Sequence, residues 1–297
     1  MTKLDFSERD LRSLRIFCAV ARAGGFAAAE HQLNMSKASI SRHIREVEER
    51  LGVRLCDRGP AGFELTTAGH VALEVASKAL KSLECIKPEI DAVRGVLSGT
   101  LVIGMVEQIV THEGCRIPEA LTELKRRAPN IRPEINVMTF SQLNQALRER
   151  SVEVVIRGMY KKERAFNYLP LFVEVQRVYS MAHLVGEKTS SPVTLVYRPH
   201  PFVEDTLTLD GFERGPDATG LEAIALLIST GHYAGLLPEH YADLVTHRYP
   251  LKVIPGTPVY RNEICAITEA SRPMTRNVEL FLEVLRDLAE PKRGTRR

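Results

Sequence analysis

The chain has 297 residues, 44% hydrophobic and 26% charged, proportions that exclude wholesale disorder and a fibrous repeat. Its formal net charge of +3 is too small to announce a nucleic-acid partner, so the distribution of charge matters more than the sum. The length fits two or three compact domains.

The longest apolar runs, such as 223–228, fall far short of the roughly 20 residues that span a bilayer. The polar, charged segment 1–12 has no signal-peptide core. A cytoplasmic protein with no membrane partner is expected. Cys18, Cys56, Cys85, Cys115 and Cys265 are odd in number and scattered, which suits reduced, packed thiols and fits neither a disulfide framework nor a C-x-x-C zinc pair.

Residues 10–23 place Leu11, Leu14, Phe17, Cys18 and Ala21 at helical spacing, and Gly24-Gly25 stops the helix. A short alanine-rich helix follows over 26–33, then a tight connection at Asn34-Met35. Ser36 is a good N-cap for a third helix reaching about Leu51, with Ile40, Ile44, Val47 and Leu51 as its buried stripe and Gly52 as its stop. Its other face carries Lys37, Ser39, Arg42 and His43. Two short helices in this arrangement have the geometry that enters a major groove, where Ser and Lys read base edges and Arg42 bonds guanine or a phosphate. An ordinary solvated face would carry the same residues.

Segments 53–56 and 62–65 read as strands around a turn at 57–61, which completes a winged helix with Arg54 and Arg58 beside the sugar-phosphate backbone. From Thr66-Thr67-Ala68-Gly69 a long helix extends into the nineties. Its Ala79, Leu83, Ile86, Ile90, Val93 and Leu97 alternate steps of four and three, the spacing of a seam between partner helices. A homodimer or homotetramer is the expectation, and packing on the chain's own core is the alternative. Pro88 predicts a kink or break near 84–87.

Phe17 followed by Phe26-Ala27-Ala28-Ala29, the run Ser36 to Ile44, Glu48 to Leu55, and Leu65-Thr66-Thr67-Ala68-Gly69 together closely resemble the DNA-binding domain of LysR-type transcriptional regulators. Lys37 stands where glutamine is frequent in that family and Cys56 where phenylalanine is usual. The resemblance implies double-stranded promoter DNA as a partner, contacted through Ser36, Lys37, Ser39, Ser41, Arg42, His43, Arg54 and Arg58. It also implies RNA polymerase as a partner when the protein activates.

From residue 98 strands alternate with helices: strands at 101–104, 135–138 and 152–156, helices at 116–127 and 142–148. Strands at 173–182, 193–197, 234–237 and 251–254, with a helix at 221–230, suggest a second α/β unit. Residues 263–268 return the chain to the first unit, and 276–288 form its closing helix. This alternation predicts parallel sheets with a ligand beyond the carboxyl ends of their strands. The order resembles the effector domain of the same family, itself similar to periplasmic solute-binding proteins. The fold class is therefore α+β multidomain: a winged helix-turn-helix at 1–66, a linker and dimerisation helix at 67–97, and a two-subdomain α/β effector domain at 98–297. Its subdomains are 98–168 with 266–297, and 169–265.

The strand ends nominate effector-binding residues: Glu107 and Gln108; Thr139, Phe140 and Ser141; Arg157; Tyr197 and Arg198; and Thr219 at a helix N-terminus. Two arginines, several hydroxyls and free helix N–H groups suit a small carboxylate, against the opposing charge of Glu107. There is no Walker A sequence, nucleophile elbow or zinc-protease motif, so neither catalysis, a metal nor a cofactor is expected. The function these features imply is a sequence-specific DNA-binding transcription regulator controlled by a small-molecule effector. The alternative is a stand-alone solute-binding or catalytic α/β protein with an unrelated helical extension.

Overall fold

Ser7 opens α1 (Glu8–Ala23) with a capping box: its hydroxyl accepts the Asp10 N–H, and the Asp10 carboxylate accepts the Ser7 N–H at 2.8 Å. The computed structural model describes residues 6–59, 62–182, 192–271 and 273–289. By contacts the chain forms two compact units, Met1–Gly95 with Gln145–Val152, and Val96–Asn144 with Glu153–Arg297.

In the first unit α2 (Phe26–Leu33) and α3 (Lys37–Leu51) follow α1, and Asn34 turns between them in the left-handed conformation that asparagine tolerates. Phe17, Val20, Ala29, Ile40, Ile44 and Leu55 are fully sealed in the core. The hairpin of β1 (Cys56–Gly59) and β2 (Gly62–Leu65) starts later than expected. Glu48 Oε1 accepts the N–H groups of Leu55 at 2.8 Å and Cys56 at 3.4 Å, so a side chain of α3 holds residue 55 and the ladder begins beyond it. Residues 57–59 of the expected turn are accordingly strand, and residues 60–61 lie outside the described residues. The helix α4 (Thr67–Glu84) is capped by Thr66 and lies so close to the strand entry that a β-carbon on Gly69 would stand 1.9 Å from the Leu55 carbonyl oxygen.

One face of α4 joins the core through Leu73, Ala76 and Leu80. The opposite face leaves Val71, Val75, Ala79 and Leu83 exposed, and the line continues through Ile86, Ile90 and Val93 of α5 (Ile86–Val93). The break falls at Cys85, because Pro88 has no N–H to donate to the Glu84 carbonyl. Packing on the chain's own core is thus present on one face, and the line expected as a seam is exposed on the other.

The second unit contains β3 (Ser98–Met105), α6 (Ile117–Arg127), β4 (Asn130–Val137), the start of α7 (Phe140–Arg148), whose residues from Gln145 on belong to the first unit, β5 (Val154–Gly158) and the 16-residue β6 (Phe166–Met181). Then come β7 (Val193–Tyr197), α8 (Pro201–Leu207), β8 (Phe212–Asp217), α9 (Leu221–Ser229), β9 (Gly235–Pro238), α10 (Glu239–Thr246), β10 (Leu251–Val253), β11 (Tyr260–Glu269) and α11 (Arg276–Ala289). The main sheet runs β10-β6-β11-β5-β3-β4, with β9 also on β6. It is mixed: β3 is parallel to β4 and β5, but β11 is antiparallel to β5 and β6. The expectation of purely parallel sheets fails because β6 and β11 cross between two lobes in opposite directions.

The first lobe packs around Leu101, Ile103, Leu124, Ile156 and Phe281. Val196, Ile224, Ile228 and Leu237 centre the second, with Val178, Leu195 and Leu236 beside them. The charged segment Phe212–Asp217 forms β8, which pairs in parallel with β7.

Candidate functional site

The polar side of α3, expected to face a groove, begins at Ser36, whose hydroxyl accepts the Ser39 N–H at 3.3 Å and is therefore engaged in the cap. Lys37 and Arg42 are exposed, Ser39 and Ser41 are half-buried, and Arg45, which the sequence reading left out, is exposed one turn beyond Ser41. Arg42 Nε lies 4.0 Å from Glu46 Oε1, too far to immobilise it. Arg54 is exposed, 3.6 Å from Asp57; the side chain of Arg58 lies outside the described residues.

His43 is the correction on this face. Only 7% of it is exposed, and its Nδ1 lies 2.9 Å from the Ser13 hydroxyl. Ser13 donates its proton to Glu46 Oε2 at 3.1 Å, so the imidazole N–H donates to Ser13. Glu46 also accepts from Arg9 on α1, and that bond, with the Ser13 bond and the Arg9 and His43 charges, outweighs desolvation and pulls its carboxyl down to about 2. His43 is thus part of a clamp between α1 and α3.

Between the lobes of the second unit lies a cavity of about 220 Å³, the size for a small metabolite. Of the expected effector residues, Glu107, Thr139, Phe140, Ser141, Arg198 and Thr219 line it. Gln108, Arg157 and Tyr197 do not. Gln108 takes a left-handed conformation that turns the chain into the short helix Ile109–Thr111. Tyr197 donates its hydroxyl to Glu204 at 2.6 Å and lies under the Arg214 guanidinium. Alternation along β5 sends Arg157 to the face opposite Gly158. There its guanidinium donates to the Gly158 carbonyl at 2.7 Å and Asn144 Oδ1 at 2.8 Å, and sits 4.3 Å from the Phe140 ring centre. Arg157 therefore buttresses Phe140 from behind the wall.

The expected anion position at the N-terminus of α9 is also corrected. Glu107 Oε1 accepts the Leu221 N–H at 2.8 Å, so the carboxylate that was expected to repel a ligand caps the helix itself.

The wall opposite is built on Arg198, His200 and Tyr160. Burial and the Arg198 charge hold the His200 imidazole well below its ordinary pKa, so it is neutral. Its Nδ1 accepts the Phe202 N–H at 3.2 Å, which leaves the proton on Nε2 to be donated to the Tyr160 oxygen at 2.6 Å. Asn262 Nδ2 donates to the same oxygen at 3.2 Å. The Tyr160 hydroxyl, kept protonated by burial, retains its own proton for an acceptor in the cavity. Arg198 Nε is shut off from solvent with no hydrogen-bond partner among the described residues.

The floor, which the sequence reading missed, consists of Glu174 and Gln176 on β6 and Asn262 on β11, directly opposite Glu174 in the ladder. A β-carbon on residue 158 would stand 2.2 Å from Asn262 Oδ1, so glycine makes room for this side chain. Glu174 Oε1 accepts from His240 at 3.0 Å, and His240 Nδ1 lies 2.7 Å from the Thr111 hydroxyl. No metal-binding cluster of His, Cys, Asp or Glu occurs among the described residues, and no helix there is long and apolar enough to cross a membrane.

Residues 11–70 match the family model of the bacterial regulatory helix-turn-helix protein, lysR family, and residues 94–290 match the LysR substrate binding domain. The HTH-type transcriptional activator BauR of Pseudomonas aeruginosa is 30% identical over 298 residues, spanning 94% of this chain and 95% of BauR. A hydrogen peroxide-inducible genes activator of Pectobacterium carotovorum is 23% identical over 298 residues, spanning 94% of this chain and 96% of its own length. Full-length CbnR, solved in complex with its target DNA, shares the fold with a TM-score of 0.63 at 21% identity, over 95% of this chain and 100% of CbnR. On the two family matches and the whole-length relationship to BauR, the chain belongs to the LysR family of bacterial transcription regulators.

Proposed function

We propose that this LysR-type regulator binds promoter DNA through α3 and the β1–β2 wing, and that a small carboxylate held between the lobes of its effector domain sets its activity. Lys37, Ser39, Ser41, Arg42 and Arg45 face the groove, and Arg54 and Arg58 the backbone. The domains divide at 1–66, 67–97 and 98–297, with effector lobes 98–168 plus 266–297 and 169–265. Homo-oligomers form along the apolar line of α4 and α5, RNA polymerase is contacted when the protein activates, and the protein works in the cytoplasm without catalysing a reaction. CbnR, which shares the fold, was solved on its target DNA, and this supports the DNA reading.

The observation that carries the effector reading is Arg198, a half-buried cation whose buried Nε has no partner among the described residues, lining the same cavity as Tyr160. A carboxylate supplies the acceptors both groups lack. Peroxide sensing, which one relative's name suggests, is disfavoured: burial raises the Cys18, Cys115 and Cys265 thiols above their ordinary value, away from the reactive thiolate.

The test is a thermal-shift screen of carboxylates on the full-length protein and Arg198→Met, alongside gel shifts on promoter DNA. A carboxylate that stabilises the wild type and leaves Arg198→Met unmoved, with DNA binding intact in both, is the expected result. An unchanged shift in Arg198→Met overturns the reading.

A further inference from the structure

The floor of the cavity carries chemistry that a carboxylate alone does not use. Glu174 and Gln176 are two residues apart on β6 and share a face, and Asn262 is the cross-strand partner of Glu174. Burial pushes the Glu174 carboxyl up, but donation from His240 and Gln176, the His240 charge and donation from Asn262 outweigh it and hold the group below its usual range. It is a carboxylate and can only accept. Both amides must therefore turn their NH2 groups to it. Gln176 Nε2 donates to Glu174 Oε2 at 2.6 Å, and Asn262 Nδ2 approaches the same oxygen at 3.4 Å.

This fixes the other end of each amide. Gln176 Oε1 and Asn262 Oδ1 are shut off from solvent and have no hydrogen-bond donor among the described residues. The two bare acceptors belong to the two residues whose amides meet Glu174, and both residues line the cavity floor. The wall with Arg198 and Tyr160 presents the opposite deficit, donors without an acceptor.

We infer that the effector is a small amino-carboxylate, whose carboxylate takes Arg198 and the Tyr160 hydroxyl while its protonated amine donates to Gln176 Oε1 and Asn262 Oδ1. This assignment rests on the carboxylate reading of the cavity. A hydroxyl in place of the amine has one proton and satisfies one of the two acceptors; a protonated amine satisfies both. The carboxylates of Glu107 and Glu174, both on the cavity wall, favour a ligand that brings a positive charge with its negative one. A volume of about 220 Å³ restricts the ligand to a short carbon chain.

The experiment is calorimetry on the full-length protein with glycine, alanine and short straight-chain ω-amino acids, against the same carboxylates without the amine, the hydroxy-acids and the matched alkylamines. An amino-carboxylate is expected to bind at least about tenfold more tightly than its amine-free and hydroxy counterparts. Gln176→Met is expected to erase that preference and leave the affinity of the amine-free carboxylate unchanged; Asn262→Ala is expected to erase the preference and, because Asn262 also donates to the Tyr160 oxygen, to weaken carboxylate binding as well. Arg198→Met removes binding of every carboxylate. Equal or better binding of the amine-free or hydroxy compound overturns the inference and leaves the carboxylate reading standing. Binding of the alkylamine as tightly as the amino-carboxylate, or of any ligand undiminished in Arg198→Met, overturns the carboxylate reading and the inference with it. So does an absence of binding across the whole panel. Should Asn262→Ala fail to fold, Gln176→Met decides the same question.

Discussion

Glu107 belongs to the first lobe and Leu221 to the second, and the carboxylate of one accepts the backbone N–H of the other at 2.8 Å across the cleft. A helix in one lobe is therefore capped from its neighbour. Losing such a cap costs roughly 0.5–2 kcal/mol. Glu107→Ala is expected to lower the melting temperature of the full chain by a few degrees, and Glu107→Gln, which keeps an acceptor, by less. Equal melting in the three proteins would show that the contact contributes nothing in solution.

Arg42 and His43 are adjacent in sequence and differ in task. Arg42→Ala should weaken DNA binding without loss of stability, by roughly 1–3 kcal/mol with relaxed sequence preference if it reads a base, or with a salt slope reduced by about one if it meets a phosphate. His43→Ala strips Ser13 and Glu46 of a buried partner, and should cost roughly 1–3 kcal/mol of stability while the folded protein keeps its DNA affinity. Melting curves and gel shifts at two salt concentrations separate the two. A stable His43→Ala protein with lost DNA binding reverses the assignment.

The Glu46 clamp gives the DNA-binding unit an acid dependence of definite sign. Its carboxyl is held at about 2 in the folded chain against an ordinary 4.5. A depressed carboxylate contributes stability that is complete above the ordinary value and lost as pH falls through the folded one. Wild type should therefore melt above Glu46→Gln at neutral pH, and the gap should close between about pH 4.5 and 2. Glu46 is partly exposed, so solvent screens the effect and the gap is modest. A gap that is constant over this range removes the clamp as its cause.

On the outer line of α4 and α5, Ile90 is 51% exposed and Val93 is 89% exposed, part of an apolar line of the kind that marks an interaction surface. Ile90→Glu with Val93→Asp is expected to shift light scattering toward the monomer mass and to weaken binding to inverted repeats more than to a single half-site. An unchanged oligomer would place the interface elsewhere.

The helical stripe of α3 was legible because Ile40, Ile44 and Val47 repeat at the helical period, and its cap and stop were legible in Ser36 and Gly52. His43 was misread by its polarity; three residues after Ile40 and four before Val47, it lies on the same inner face. In the effector domain, the strand ends drew attention to Glu107, Thr139, Phe140, Ser141, Arg198 and Thr219, which line the cavity. The floor was hidden because the pattern of β6 is inverted there. Glu174 and Gln176 are buried while Val173 is 46% exposed, so alternation pointed the eye to the wrong face. Asn262 joins them only through strand register, which is a property of the folded sheet. The strand β8 escaped notice because Glu213 and Arg214 are solvent-facing and its partner β7 is recognised only after folding.

The crossing strands β6 and β11 are hydrogen-bonded neighbours over most of their length, and they carry the chain from one lobe to the other and back. In mechanical terms the lobes share a torsion bar. Were the lobes to rotate about that bar, the floor residues on it would stay nearly still and Arg198, out on the second lobe, would travel along an arc. On the proposed binding mode, a ligand fastened at the bar and at Arg198 would act as a gauge block, the distance between its two charged ends setting the angle between the lobes.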